Sequence, residues 1–285
     1  MRFDPEVQQV VNSYQLGLPR MPVAGRTGEL LGRGSGSSLE FQEYREYMLG
    51  DDIRHLDWAA YARSDSLMVR LYREEISPRT EILLDVSRSM TSGGTIKPQV
   101  ARQLTATFSL LVSQLGGRPK IILLGDERPL GQLDIENIDV LDSIPFDSIS
   151  NMAELFEQNL IPFGRQSVRI VISDFLFQHD PASLIKRLAA GCCALWVIQL
   201  LNGWEANPTR IGGRRLIDIE SNHEIDLLLD KKTIDAYKNR LKRLQDELAR
   251  NCRRVHAPFV ISTAENGLQQ ICRSDLCAAE ILRVS

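Results

Sequence analysis

From residue 79 onward the chain alternates between short apolar runs and amphipathic stretches. Five runs are nearly continuously apolar and about strand length: Glu81–Asp85, Lys120–Gly125, Val168–Asp174, Ala194–Leu200 and Pro258–Thr263. Runs of that kind are expected where a parallel sheet is covered on both faces. Between them lie helical patterns. Val100, Leu104, Phe108, Leu111 and Leu115 share one face, and so do Ile234, Tyr237, Leu241, Leu244 and Leu248, the latter opposite a face of Lys, Arg, Asp and Glu. Strands alternating with helices predict an α/β fold with a doubly wound, mostly parallel sheet. A hairpin, Arg215–Glu220 with Glu224–Leu229, turns at 221–223 and interrupts the alternation.

Upstream the pattern differs. Residues 1–25 carry one weak helical pattern, and a glycine-rich stretch follows over 25–38. It lacks the Gly-Lys-Ser/Thr of a phosphate loop, and no strand precedes it, so a solvated loop is expected. Leu67, Val69 and Leu71 alternate with polar or mixed neighbours, as in a half-buried strand. The division expected is an N-terminal extension over 1–78, packed on the sheet, and an α/β domain over 79–285.

The chain has 285 residues, 43% hydrophobic and 25% charged, which predicts a folded protein rather than a disordered one. Its formal net charge of −3 gives no reason to expect nucleic-acid binding. Cys192, Cys193, Cys252, Cys272 and Cys277 show no C-x-x-C spacing, so free thiols in a reducing compartment are expected. With no apolar h-region at the start and no run of ~20 apolar residues, the expectation is a cytoplasmic protein without direct membrane insertion.

The chemistry concentrates at the ends of two strands. Ile82-Leu83-Leu84 runs into Asp85-Val86-Ser87-Arg88-Ser89-Met90, a D-x-S-x-S motif. Alone this spacing arises by chance in roughly one chain in ten of this size. Its place gives it weight, because open α/β sheets bind ligands at the carboxyl ends of their strands. Val168–Ile172 delivers a second acid, Asp174, to the same edge. Between them, Ser150 precedes the helical run Met152–Gln158 and could cap it or turn a hydroxyl into the crevice, with Ser148 the less favoured alternative. Carboxylates and hydroxyls suit a hard cation, Mg²⁺ first, with Mn²⁺ or Ca²⁺ as substitutes. The arrangement expected is direct ligation by Ser87, Ser89 and Ser150, with Asp85 and Asp174 partly through waters and one position open to a partner's carboxylate.

This set resembles the metal-ion-dependent adhesion site of von Willebrand factor A-type domains. Glu43-x-Arg45-x-Tyr47-x-x-Gly50-Asp51-Asp52-x-Arg54-x-x-Asp57-Trp58, then Ala62-Arg63 and Leu67-x-Val69-Arg70, leading into the D-x-S-x-S motif, resembles the bacterial family named domain of unknown function fifty-eight. The resemblance implies a von Willebrand A-like domain working beside MoxR-type AAA+ ATPases, in chaperone-like maturation or assembly of other proteins. It implies binding of the ATPase, of an acidic residue on a client, or of both, and no catalysis. Two departures stand out: Ser150 or Ser148 where the family carries Thr in the middle loop, and Arg88 between the two motif serines. Arg45, Arg54, Asp57 and Trp58 are expected to tie the N-terminal layer to the sheet or to form a docking surface for the ATPase.

The rival reading is a Mg²⁺-dependent hydrolase of phosphatase type. That chemistry needs a second Asp two residues after the first as acid/base, and Ser87 stands there instead. No nucleophile elbow or H-E-x-x-H spacing accompanies His55, His179, His223 or His256. A dinucleotide-binding reading fails on the missing glycines after Leu84.

Overall fold

The structure is a computed structural model, and it describes residues 1–17, 39–48, 51–52, 54, 56–74, 79–92, 94–127, 130–158, 160–164, 166–208, 212–217 and 224–285. The glycine-rich stretch 25–38, Gly50, His55 and the hairpin turn at 221–223 lie outside the described residues.

The elements run, in chain order, α1 (Pro5–Ser13), β1 (Tyr14–Leu16), β2 (Leu39–Glu46), α2 (Trp58–Ser64), β3 (Met68–Glu74), β4 (Thr80–Asp85), α3 (Ile96–Gln114), β5 (Pro119–Leu124), β6 (Gln132–Asp134), α4 (Met152–Glu157), β7 (Ser167–Ser173), α5 (Pro181–Ala189), β8 (Cys192–Leu201), α6 (Gly203–Ala206), β9 (Gly212–Ile217), β10 (Glu224–Leu229), α7 (Lys231–Arg254), β11 (Phe259–Thr263), α8 (Gly267–Gln270) and β12 (Leu282–Val284). The chain divides into two compact units, Met1–Leu18 with Pro78–Ser285, and Pro19–Ser77.

The larger unit is built on a six-stranded sheet in the order β11-β8-β7-β4-β5-β6. Every pairing is parallel except β5 with β6, which closes one edge antiparallel. The five apolar runs of the sequence are the five parallel strands. The short β6 was not expected: Gln132-Leu133-Asp134 has no apolar run to announce it, and an edge strand needs none.

Alternate residues of the central strands serve two separate cores. Ile82, Leu84, Ile121, Ile170 and Ile172 pack into one, together with α1 and the Val100, Leu104 and Phe108 face of α3. Leu83, Ile122, Val171 and Val197 pack into the other, with Leu184, Ile185 and Leu188 of α5 and Leu248 and Cys252 of α7. The sheet is therefore covered on both faces, which is why β4 and β7 are buried along their whole length.

The first 18 residues belong with this sheet and not with the rest of the 1–78 segment. Asp4 caps α1 by accepting from the Glu6 and Val7 amides, and β1 pairs antiparallel with β12 near the other end of the chain. Val7, Val10 and Val11 of α1 are buried.

The hairpin of β9 and β10 forms as a pairing of Gly212–Ile217 with Glu224–Leu229, its first strand three residues earlier than the pattern indicated. Glycines stand at 212 and 213, and a period-2 reading gives them no weight.

In the smaller unit β2 and β3 form an antiparallel pair with an irregularity between Phe41 and Glu43. Asp57 is buried and caps α2, accepting from the Ala59 and Ala60 amides at 2.9 and 3.0 Å and from the Tyr44 hydroxyl at 2.8 Å. Arg45 pairs with Asp51 and Arg54 with Asp52, both within the unit. Trp58 is 61% exposed and meets Tyr61 edge-to-face. Of the alternating triplet, Val69 is buried and Leu67, one residue ahead of β3, is exposed.

Candidate metal centre

β4 ends at Asp85, and the chain then leaves the sheet. Asp85 is fully buried and accepts from the Ser87 amide at 2.9 Å through Oδ1 and from the Ser173 hydroxyl at 2.5 Å through Oδ2. The first bond closes a tight turn that brings Ser87 above its own strand end. There the Ser87 and Ser89 hydroxyl oxygens stand 3.0 Å apart. Two oxygens bound side by side to Mg²⁺ at about 2.1 Å are about 3 Å apart, so this spacing fits one edge of its octahedron.

The middle loop is fixed by backbone pairing. Ser87 and Ser148 form an isolated parallel bridge: the Arg88 amide donates to the Ser148 carbonyl at 2.9 Å, and the Ser148 amide donates to the Val86 carbonyl at 3.2 Å. Ser148 is 4% exposed, and its hydroxyl donates to the Ser150 carbonyl at 3.3 Å and is bonded to Asp126. The Ser150 amide donates to Asp126 at 2.8 Å, and its hydroxyl is bonded to the same carboxylate. The cap of α4 is Asn151 in a capping box with Glu154, not Ser150.

Asp126, two residues beyond β5, organises this loop and was not marked by sequence reasoning. It accepts the Ile149 and Ser150 amides, both at 2.8 Å, and these bonds with the Ser150 and Ser148 hydroxyls outweigh desolvation and hold its carboxyl down at about 2. A carboxyl held below its ordinary 3.8 stabilises the fold above that pH and stops doing so as pH falls towards 2. Asp126→Ala should cost about 1–3 kcal/mol at neutral pH through two lost amide bonds to a charged group. Urea melts of the wild type and the variant should differ at pH 7 and converge near pH 2–3.

β7 brings in the second acid. Asp174 is fully buried. The residue after it, Phe175, is held at φ 55, a left-handed conformation that a bulky side chain rarely takes. The Phe175 amide donates to Ser173 Oγ at 3.0 Å and the Leu176 amide to Asp174 Oδ1 at 3.0 Å, so the turn fixes both side chains. Burial first, and the nearby Asp174 charge second, push the Asp85 carboxyl up to about 6 against the bonds from Ser173 and Ser87.

A further group was not foreseen. The ammonium of Lys97, 1% exposed in the first turn of α3, donates to Asp174 Oδ2 at 2.8 Å, to the Ser89 carbonyl at 3.0 Å and to both Glu205 oxygens at 3.0 Å. Glu205 is held by a capping box with Asn202, and Asn202 Nδ2 donates to the Ser92 carbonyl at 2.7 Å. The available signal was a lysine in the first turn of a helix, where the dipole disfavours a cation.

Asp85, Ser87, Ser89 and Asp174 thus converge at the carboxyl edge of adjacent strands β4 and β7, with the Ser148–Ser150 loop bridged to Ser87 beside them. Arg88 points off the site, its Nε donating to the Asp147 carbonyl at 2.9 Å. Asp85, Asp174 and Glu205 bring three negative charges and Lys97 one positive, leaving two negative charges on the buried groups.

Among known proteins the chain is similar to an uncharacterized protein of Mycobacterium tuberculosis and one of Mycobacterium bovis, each 23% identical over 283 residues, covering 95% of this chain and 89% of the relative. The conserved hypothetical protein BatB of Bacteroides thetaiotaomicron aligns in structure over 69% of this chain and 98% of its own, at 15% identity and a TM-score of 0.36. The family model described as protein of unknown function DUF58 matches residues 43–247, from the smaller unit through both acids of the site and into α7, and the chain belongs to that family.

Proposed function

We propose that the chain is a divalent-metal-dependent protein-binding module of von Willebrand A type, acting as an adaptor beside a MoxR-type AAA+ ATPase in the maturation or assembly of other proteins. The observation that carries the reading is the charge and oxygen inventory at the β4 and β7 ends. Two uncompensated buried carboxylates call for a doubly charged cation, because buried charge is costly unless it is paired. The hydroxyls of Ser87, Ser89 and the middle-loop serine, Ser150 or Ser148, are hard donors, with octahedral spacing between the first two. Asp85 would reach the metal with its free lone pairs or through water, and Asp174 through water. When bound, Mg²⁺ (or Mn²⁺ or Ca²⁺) supplies an electrophilic position for an outside carboxylate. A binding role suits this inventory better than hydrolysis, since Ser87 occupies the position where a phosphatase of this layout needs its acid/base.

The test is a thermal melt of the full chain with and without Mg²⁺, followed by co-purification with a MoxR-type ATPase of the same organism in Mg²⁺ or EDTA. At 100 times its dissociation constant, Mg²⁺ should add about 2.7 kcal/mol. Capture of the ATPase should need the metal. No Mg²⁺ shift, or capture that ignores EDTA, would sink the reading, and turnover of ATP or a phosphate monoester by the pure protein would favour the hydrolase.

A further inference from the structure

Lys97 occupies a place that local preference does not explain. A desolvated ammonium at the start of α3 is disfavoured by burial and by the helix dipole together. It is nevertheless 1% exposed, with all its bonding capacity used on Asp174, Glu205 and the Ser89 carbonyl. Each partner belongs to a different element: Asp174 follows β7, Glu205 lies in α6 after β8, and Ser89 is part of the D-x-S-x-S loop. Tyr237 of α7 donates to the Glu205 carbonyl at 2.9 Å, so Glu205 is anchored from a fourth side.

The consequence falls on Asp174. Of its two carboxylate oxygens, Oδ1 accepts the Leu176 amide and Oδ2 accepts Lys97. Oδ2 is therefore held toward the ammonium, and turning that oxygen onto a cation means leaving Lys97. Resting on the metal-dependent reading above, we propose that Lys97, clamped by Glu205, is a positioning residue that keeps Asp174 out of direct contact with the metal, lowering metal affinity and preserving its attraction for a partner's acidic side chain.

The charge count suggests the variant that isolates this effect. Replacing the Lys97–Glu205 pair by Lys97→Met with Glu205→Gln leaves the net charge of the buried groups at two negative. What changes is the hold on Asp174, together with the Lys97 bond to the Ser89 carbonyl. Mn²⁺ titrations of the full chain, followed by water-proton relaxation, report both the dissociation constant and the number of exchanging waters on the metal. The double variant should bind Mn²⁺ about tenfold more tightly than wild type and carry fewer exchanging waters, as Asp174 becomes a direct ligand. Unchanged or weaker binding with wild-type hydration would overturn the proposal while leaving the metal reading intact. Failure of the wild type to bind Mn²⁺ would overturn both. Glu205→Gln alone, nearly isosteric, guards against a double variant that does not fold. It removes one charge and leaves Lys97 on Asp174, so affinity should drop about tenfold with hydration constant. Fewer exchanging waters in that variant, with Lys97 still on Asp174, would equally overturn the proposal.

Discussion

Arg169→Leu is expected to unfold much of the population at 37 °C, the largest effect of any single change discussed for this protein. Arg169 sits in the middle strand β7 with 0% exposure. Its Nε donates to Glu81 Oε2 at 2.9 Å, and its terminal nitrogens donate to the carbonyls of Leu188, Ala190 and Gly164 at 2.7–2.8 Å. The guanidinium also lies 3.9 Å from the centre of the Phe163 ring. Glu81 is buried beside it, accepting in addition from the Gly164 amide and the Ser167 hydroxyl. Leucine would leave Glu81 charged and short of its cation, and would take one donor from each of three carbonyls, of which Gly164 keeps the Ser167 hydroxyl at 3.3 Å. Breaking one side of a buried pair costs about 3–5 kcal/mol, a large share of the roughly 5–15 kcal/mol that holds an ordinary domain folded. Arg169→Leu with Glu81→Leu should recover most of that loss, because a buried pair replaced as a whole by apolar residues is often neutral. Chemical denaturation of the single and double variants decides it; equal loss in both would show that the carbonyl contacts, not the charge pair, carry the energy.

Asp85→Asn should produce a crossing. In EDTA at pH 7.5 the variant should be more stable than wild type, and in Mg²⁺ less stable. Desolvation and the Asp174 charge raise the Asp85 carboxyl from 3.8 to about 6, so ionising it costs more in the folded state than in the unfolded one. A carboxyl raised by folding destabilises the folded state above its folded value, and the penalty disappears as pH drops below the unfolded one. The penalty at neutral pH is on the order of 2–3 kcal/mol. Asparagine removes it, and its side-chain oxygen still accepts the Ser87 amide. The advantage of the variant in EDTA should therefore fade between pH 6 and pH 4. In Mg²⁺ the wild type recovers its stability through the metal, and the variant should bind it at least a hundredfold more weakly. Melting temperatures over that pH range, with and without Mg²⁺, test both limbs. A variant less stable than wild type in EDTA at pH 7.5 would refute the account of Asp85.

How far the sequence exposed this site depends on the kind of signal each residue leaves. The five parallel strands were legible because burial on both faces demands continuous apolar runs, and Asp85 and Asp174 were legible because each ends such a run. Glu81 and Arg169 were visible in the same runs as charges where none is expected, and a charge in a buried strand asks for a partner, though it does not name one. Ser148 could not be told from Ser150, since the two share one loop and both hydroxyls bond to Asp126. Asp126 left no mark because its ligands are backbone amides, which every residue possesses. Lys97 was hidden by position: it opens an amphipathic helix whose polar residues read as solvated, and its partners Asp174 and Glu205 come from far along the chain.

Phe175 gives the site an unplanned sensor. Phe175 is buried and left-handed, with its ring beside Phe177 and His179 of the same loop at centroid separations of 6.3 and 6.5 Å. The turn that fixes the second acid thus rests on an aromatic cluster of its own loop. Erosion of that cluster, by truncation at 177 for instance, should register as a drifting carboxylate, so cation uptake gauges how well the loop is assembled.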